Sequence, residues 1–304
     1  QLNLYKMPNP TITGSTYAGE FAGKYLGAAL LSADTLDKGA ITILPNVKYK
    51  AAMKVGAFSN LVRSADCDFD STTSGLTLTE KVLTPTELQV NLQICKKELH
   101  ADWEAAQMGF SAFDELPPLF SDYVIARVAA EVAKATEVSI WQGSAGEGNF
   151  DGFETLLAAD TDVVDVVAGT VTTANVIAEL QKIVDAIPSG VYGKEDLTIY
   201  ISQNIAKAYV GAQAALGYRD LYHVGQTEMN FQGIPLFATG GLADNTAVAA
   251  QKSNLFFGTG LLDDRNEVKV IDMADLDGSQ NVRVVMRYTA GVQHGIGSDI
   301  VLYA

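Results

Sequence analysis

The chain has 304 residues, a formal net charge of −15, and 48% apolar against 19% charged residues. That length allows one large or two ordinary domains with a substantial core, and no apolar run reaches the roughly 18–20 residues a membrane span needs. The acidic excess lies almost wholly in residues 111–304, which argues against a surface that wraps nucleic acid through Lys and Arg and excludes a conventional DNA-binding module.

The opening Gln1-Leu2-Asn3-Leu4-Tyr5-Lys6 holds neither a signal-peptide core nor an initiator Met. The expectation is a start inside a longer gene product or behind a removed piece. Pro8, Pro10, Gly14, Gly19, Gly23 and Gly27 then punctuate a stretch of small and hydroxyl residues. This composition fits an extended arm packed on something else better than a core, with a short helix from Ala22 to Leu36 interrupted at Gly27.

Val47, Tyr49, Ala51, Met53 and Val55 alternate with Lys48, Lys50 and Lys54, the period-2 mark of a strand. A second such strand carries Leu88, Val90, Leu92 and Ile94 on one side and Glu87, Gln89, Asn91 and Gln93 on the other, and is the expected partner of the first. The Ser-, Thr- and Asp-rich stretch between them is too long for an unstructured loop inside a compact domain. Shorter strands should therefore extend the ribbon, with its turn near Ser71 to Gly75. A two-stranded ribbon is marginal in water, so this one should rest on another surface.

Asp114 and Glu115 followed by Pro117 and Pro118 read as a helix start, and no Gly or Pro interrupts the chain up to Gln142. About 25 residues at a rise of about 1.5 Å make a rod of about 37 Å. Arg127, Glu131 and Lys134 should form a polar stripe, while Val124, Val128, Val132, Ala135 and Val138 leave most of the circumference apolar and packed. The helix runs into Trp141-Gln142-Gly143 and then Gly148-Asn149-Phe150-Asp151-Gly152-Phe153.

From Thr161 the pattern is mixed α/β. Helices are expected over Asn175–Ile187, ended by Pro188 and Gly190, and over Asn204–Leu216, ended by Gly217. Strands are expected at 197–202, 233–238, 254–257, 268–271, 282–288 and 300–303, the last two flanking Gly291, Gly295 and Gly297.

Chemistry-bearing patterns are sparse. His100, His223 and His294 are scattered and read as isolated structural or surface residues. Cys67 and Cys95 make neither a disulfide scaffold nor a zinc site and fit buried thiols in a reducing compartment. Gly146-Glu147-Gly148 follows a helix rather than a strand and puts a carboxylate where a phosphate would sit, so it does not read as a dinucleotide loop. Asp272-Met273-Ala274-Asp275-Leu276-Asp277-Gly278 imitates a calcium loop without its closing glutamate. Asp263-Asp264-Arg265-Asn266-Glu267 reads as a charged turn. No catalytic, cofactor-binding or metal-binding residue is assigned, and no cofactor is expected.

The order of parts resembles the major capsid proteins of tailed phages with the HK97 fold. The stretches that carry the resemblance are Leu83 to Leu99, Trp141 to Leu157, and Phe231-Gln232-Gly233-Ile234-Pro235 ahead of Ser253-Asn254-Leu255. It implies an α+β chain with an N-arm (1–40), an extended β-hairpin E-loop with its flanks (41–105), a P-domain with a spine helix (106–160), an α/β A-domain (161–280) and returning strands (281–304). It further implies a structural protein rather than an enzyme, self-assembling into pentamers and hexamers of an icosahedral head around double-stranded DNA held without sequence-specific binding. Portal, decoration and scaffolding proteins are the implied partners, no membrane is involved, and the implied location is the virion, assembled in the host cytoplasm.

In some relatives a ribbon lysine is joined to an asparagine on the returning strand with help from a glutamate seven positions on. Asn281 matches that asparagine and Lys81 is the candidate amine, but the glutamate position holds Tyr288, so self-crosslinking is not expected. Two alternatives stand beside this reading. One is an encapsulin-like bacterial nanocompartment shell, and the other is a soluble α/β enzyme built on residues 161–280.

Overall fold

Leu197-Thr198-Ile199-Tyr200-Ile201-Ser202 puts Leu197, Ile199 and Ile201 on one face and Thr198, Tyr200 and Ser202 on the other, so no charged side chain holds either face of the strand toward water. In a computed structural model, which describes residues 34–47, 49–58, 76–95, 118–146, 148–216, 229–260 and 269–304 together with Val62 and Ser64, it lies in the middle of a six-stranded sheet. The chain divides into two units, one of residues 34–86, 137–260 and 290–304, the other of 1–33, 87–136 and 261–289.

The elements in chain order are α1 (Asp34–Asp37), β1 (Thr42–Leu44), β2 (Ala51–Phe58), β3 (Leu76–Leu83), β4 (Thr86–Cys95), α2 (Pro118–Gln142), α3 (Phe153–Ala158), β5 (Val164–Val166), α4 (Val176–Ala186), β6 (Leu197–Ser202) and α5 (Gln203–Ala215). They continue with β7 (Met229–Phe231), β8 (Ile234–Thr239), β9 (Ala247–Gln251), β10 (Leu255–Thr259), β11 (Lys269–Asp272), α6 (Ala274–Asp277), β12 (Asn281–His294) and β13 (Val301–Tyr303).

In the first-named unit the sheet order is β5-β13-β9-β6-β8-β7. β13 runs parallel to β5 and antiparallel to β9, and β6 runs parallel to β8. Helix α4 presents Val176, Leu180, Ile183 and Val184, a stripe at helical spacing, and α5 presents Ile205, Ala208, Tyr209 and Ala212. Both stripes join Ile199, Ile201, Ala247, Ala249, Val301 and Tyr303 of the sheet in one core. Each fully buried aliphatic side chain there contributes about 1.5–3 kcal/mol relative to exposure. The start of α4 is set by Asn175, whose Oδ1 accepts the Thr172 N–H at 2.6 Å and whose amide reaches Thr170 O. Pro188 lies just past its end.

The same unit holds β1 parallel to β10, and β10 antiparallel to residues 290–294 of β12. Strand β12 therefore does not stop at Tyr288 but runs on through Gly291. A Cβ on Gly291 would lie 3.1 Å from Pro85 Cα and from Thr84 O, so the strand passes the turn that links β3 to β4 only because nothing projects there.

In the other unit β4 and β11 both pair with β12. Leu88 and Ile94 are buried, Val90 and Leu92 half-buried, and Glu87, Gln89, Asn91 and Gln93 exposed, as the alternation predicts. Val282, Val284, Met286 and Tyr288 point inward and Arg283 and Arg287 outward, and Arg283 Nε donates to Gln93 Oε1 at 3.0 Å. The expected pairing of the 88–94 strand with the Lys-bearing strand is thus corrected. The partner of β2 is β3, in register from Ala51↔Leu83 to Phe58↔Leu76.

The long helix is present, and among its described side chains Glu131 and Lys134 are exposed while Val132 is buried. Ala135 and Val138, expected to be packed, are exposed, and Thr136, Glu137 and Ser139 are buried instead. Of the expected arm of residues 1–40, residues 1–33 lie outside the described residues, as do the whole Ser71 to Gly75 turn, Cys67, His100, His223, Glu147 and the 263–267 turn.

Candidate functional site

The β2–β3 ribbon is a two-stranded sheet with no third strand among the described residues. One face carries Met53 and Val55, half-buried, opposite Lys81 and Thr79. The other carries Lys54 opposite Glu80, both exposed, beside Leu78 at 64% and Val82 at 37% exposure. The lysine side of the ribbon is thus not purely polar, as the β2 sequence suggests, because β3 adds two large apolar side chains to it. At the near end Tyr49 is 77% exposed with the Lys50 ammonium 5.4 Å from its ring centre.

The root of the ribbon is held far more firmly than its faces. Leu83 is fully buried against Gly258 of β10, where a Cβ would collide with its methyl groups. Gln293 Nε2 donates to Val82 O at 3.3 Å. Beside them Lys81 Nζ forms an ion pair with Asp160 Oδ2 and lies 2.5 Å from His294 Nε2, which is itself 2.7 Å from the same carboxylate oxygen. His294 is 2% exposed. Burial works against the charge of Asp160, but hydrogen bonds from Lys81, His294 and the Asp162 N–H, with the Lys81 charge, hold it well below the usual carboxylate range. Burial, aided by the Lys81 charge, pulls His294 down against the opposing pull of Asp160.

A second anchor ties α1 to the C-terminal turn of α2. The buried Glu137 carboxylate accepts the Thr35 N–H at 3.2 Å and the Thr35 and Thr239 hydroxyls at 2.5 Å each. Trp141 Nε1 donates to Thr35 Oγ1 at 2.9 Å, and its ring packs on Phe153 and Tyr200 at 5.4 and 5.1 Å. The glycines that bracket this aromatic motif have a steric task. Gly152 N–H donates to Gly143 O at 2.8 Å, and a Cβ on Gly152 would lie 2.6 Å from Gly143 N and Trp141 O. The two backbones touch where no side chain fits.

Residues singled out from sequence fall as follows. Lys81 is engaged with Asp160 and His294. Asn281 opens β12, and its carbonyl accepts the Met273 N–H. Tyr288 is buried, which pushes its hydroxyl up. The expectation that His294 stands alone is corrected, since its partners Lys81 and Asp160 lie 213 and 134 positions away along the chain, where no local motif could reveal them. The Asp272 to Gly278 stretch makes a short helix in which Asp272 Oδ1 accepts the Ala274 N–H, closed by Gly278 at φ +70°. Cys95 is a half-buried free thiol. Among the described residues no group of three His, Cys, Asp or Glu could hold a metal ion, and no helix is long and apolar enough to cross a membrane.

No protein-family model and no curated protein matches the chain. Solved structures do. The capsid of a native GTA particle matches at a TM-score of 0.64 with 15% identity, over 97% of this chain and 94% of that one. The capsid of Myoviridae phage XM1 matches at 0.59 with 14% identity, over 97% and 96%. A virus-like particle from Pyrococcus furiosus matches at 0.51 with 11% identity, over 92% and 97%. The chain has the mixed α+β fold of these capsid structures.

Proposed function

We propose that the chain is the major capsid protein of a tailed phage, a structural subunit of the HK97 type that self-assembles into pentamers and hexamers of an icosahedral head enclosing double-stranded DNA. The observation that carries this reading is the near end-to-end likeness to the GTA capsid, which takes in ribbon, helix and sheet together rather than one module. The ribbon supports it independently. A two-stranded sheet with Leu78 and Val82 exposed has no core of its own, and repeated contacts in a closed symmetric assembly supply one.

On this reading residues 1–40 are the N-arm, 41–105 the E-loop, 106–160 the P-domain, 161–280 the A-domain and 281–304 the returning strands. The ribbon lies across a neighbouring subunit, and A-domain loops meet around capsomer axes. Portal, scaffolding and decoration proteins are the further partners, and assembly takes place in the host cytoplasm. An acidic body lets packaged DNA slide rather than stick, so a continuous Lys and Arg lining of the inner surface would count against the role.

The likeness to the Pyrococcus furiosus particle supports a second reading, an encapsulin-like compartment that encloses protein cargo. Negative-stain imaging and gel filtration of the purified chain test both. Closed isometric shells support a shell protein, and nucleic acid against protein inside native particles separates the two. A monodisperse small oligomer would overturn both in favour of a soluble α/β protein.

A further inference from the structure

We propose that Lys81, Asp160 and His294 form an intrachain latch that holds the root of the β2–β3 ribbon and is released by acid through His294. The use of such a latch in timing assembly rests on the shell reading, but its existence does not, because all three residues belong to one chain and one unit.

The geometry carries the inference. Asp160 Oδ2 is shared between the Lys81 ammonium, borne by β3, and His294 Nε2, borne by β12. Since His294 is almost wholly buried, its ring cannot turn to water to take up a second proton. The charged groups that face it are few. β3 offers Lys81, the segment after α3 offers Asp160, and β10 places apolar Leu255 opposite it in register. Its own N–H donates to Gln293 Oε1, and the neighbouring turn is tied by Asn254, which accepts the Gly295 N–H through its carbonyl.

A neutral ring serves one of its two partners at Nε2, either accepting from the Lys81 ammonium or, as Nε2–H, donating to Asp160, and in both forms one carboxylate balances one ammonium. A proton added to the ring sets two cations against that carboxylate, and the ring itself has almost no access to water. Burial and the Lys81 charge both resist this, while Asp160 alone favours it, and the balance lowers the affinity of the closed state for the proton. The open state binds the proton at an ordinary imidazole value of about 6.5, so below that pH opening gains up to about tenfold per pH unit until the closed state also protonates. The latch is therefore complete above about pH 6.5 and weakens as pH falls below it.

Hydrogen exchange of peptides spanning 76–83, measured on unassembled subunits and corrected for intrinsic rates, tests the proposal. Between about pH 7.5 and pH 5.5 the wild type should lose up to about tenfold in protection. His294→Gln should remove that pH-dependent loss while leaving in place Glu154, a carboxyl that burial raises. Lys81→Met removes the ammonium at a site that is 28% exposed and should leave the root less protected already at the higher pH. Protection that does not change with pH in the wild type, or an equal loss in His294→Gln, overturns the latch. Should His294→Gln fail to fold, a Lys81→Met root as protected as wild type at the higher pH overturns it equally. Absence of shells in the same preparation bears on the capsid reading alone.

Discussion

Glu137 shows what a single side chain does for this fold. Its carboxylate collects one backbone N–H and two hydroxyls in a buried site, so Glu137→Ala strands three donors at once. The expected loss is about 3 kcal/mol or more, read as a lower thermal midpoint of the unassembled subunit, with Glu137→Gln losing less because it keeps an acceptor. Gly152→Ala should be as damaging through packing alone, at about 3 kcal/mol, because the backbone atoms it would strike cannot move aside. Gly190→Ala, with nothing within 4 Å of the new Cβ, should leave soluble yield and midpoint near wild type. The Trp141 to Phe153 stretch was recognisable in the sequence as a block, but the reason for its glycines was not, since a close approach of two backbones leaves no trace in composition. Glu137 and His294 were illegible for a related reason. Their burial depends on Thr35, Thr239, Lys81 and Asp160, residues remote along the chain.

Elements were easier to read than their neighbours. The alternation over Leu88 to Ile94 predicts which face is buried, and β4 obeys it. Alternation says nothing of which strand lies alongside, and β4 goes to β12 rather than to β2. The helix of residues 118–142 was legible from its proline start and its uninterrupted run, yet Ala135 and Val138 face outward. Apolar side chains all round a helix do not say which face is covered. Val128→Pro in the middle of that helix removes a backbone hydrogen bond and clashes with the preceding turn, at a cost of about 3 kcal/mol or more; soluble subunits or shells at normal yield would contradict a continuous helix there. For the ribbon, limited trypsin digestion should cut after Lys54, whose side chain is exposed, in free subunits and spare it in shells. Lys81 should resist in both, being tied to Asp160. Equal protection of Lys54 in a monodisperse monomer would mean that the ribbon is covered by its own chain.

At the scale of the molecule, charge sets the conditions for association. On the shell reading, copies of the chain that each carry a formal net −15 repel one another, and the repulsion is screened as the Debye length shrinks from about 30 Å at 0.01 M salt to about 10 Å at 0.1 M. Assembly followed by light scattering should accelerate over that range, and a rate that falls with added salt would show that attraction between opposite charges, rather than apolar contact, drives it.

β13 lies between β5 and β9 in the six-stranded sheet although it is formed by residues 301–303. The strands on either side of it are made long before it on the ribosome, and each must wait with an open edge until β13 arrives to fill the gap. The sheet can therefore close only once residues 301–303 have been made, and a polypeptide released before Val301 has no means of closing it. Such a product would carry two bare strand edges, which are templates for aggregation. Synthesis through Tyr303 acts in this way as a checkpoint, since a chain that stops short of it is marked by its open edges.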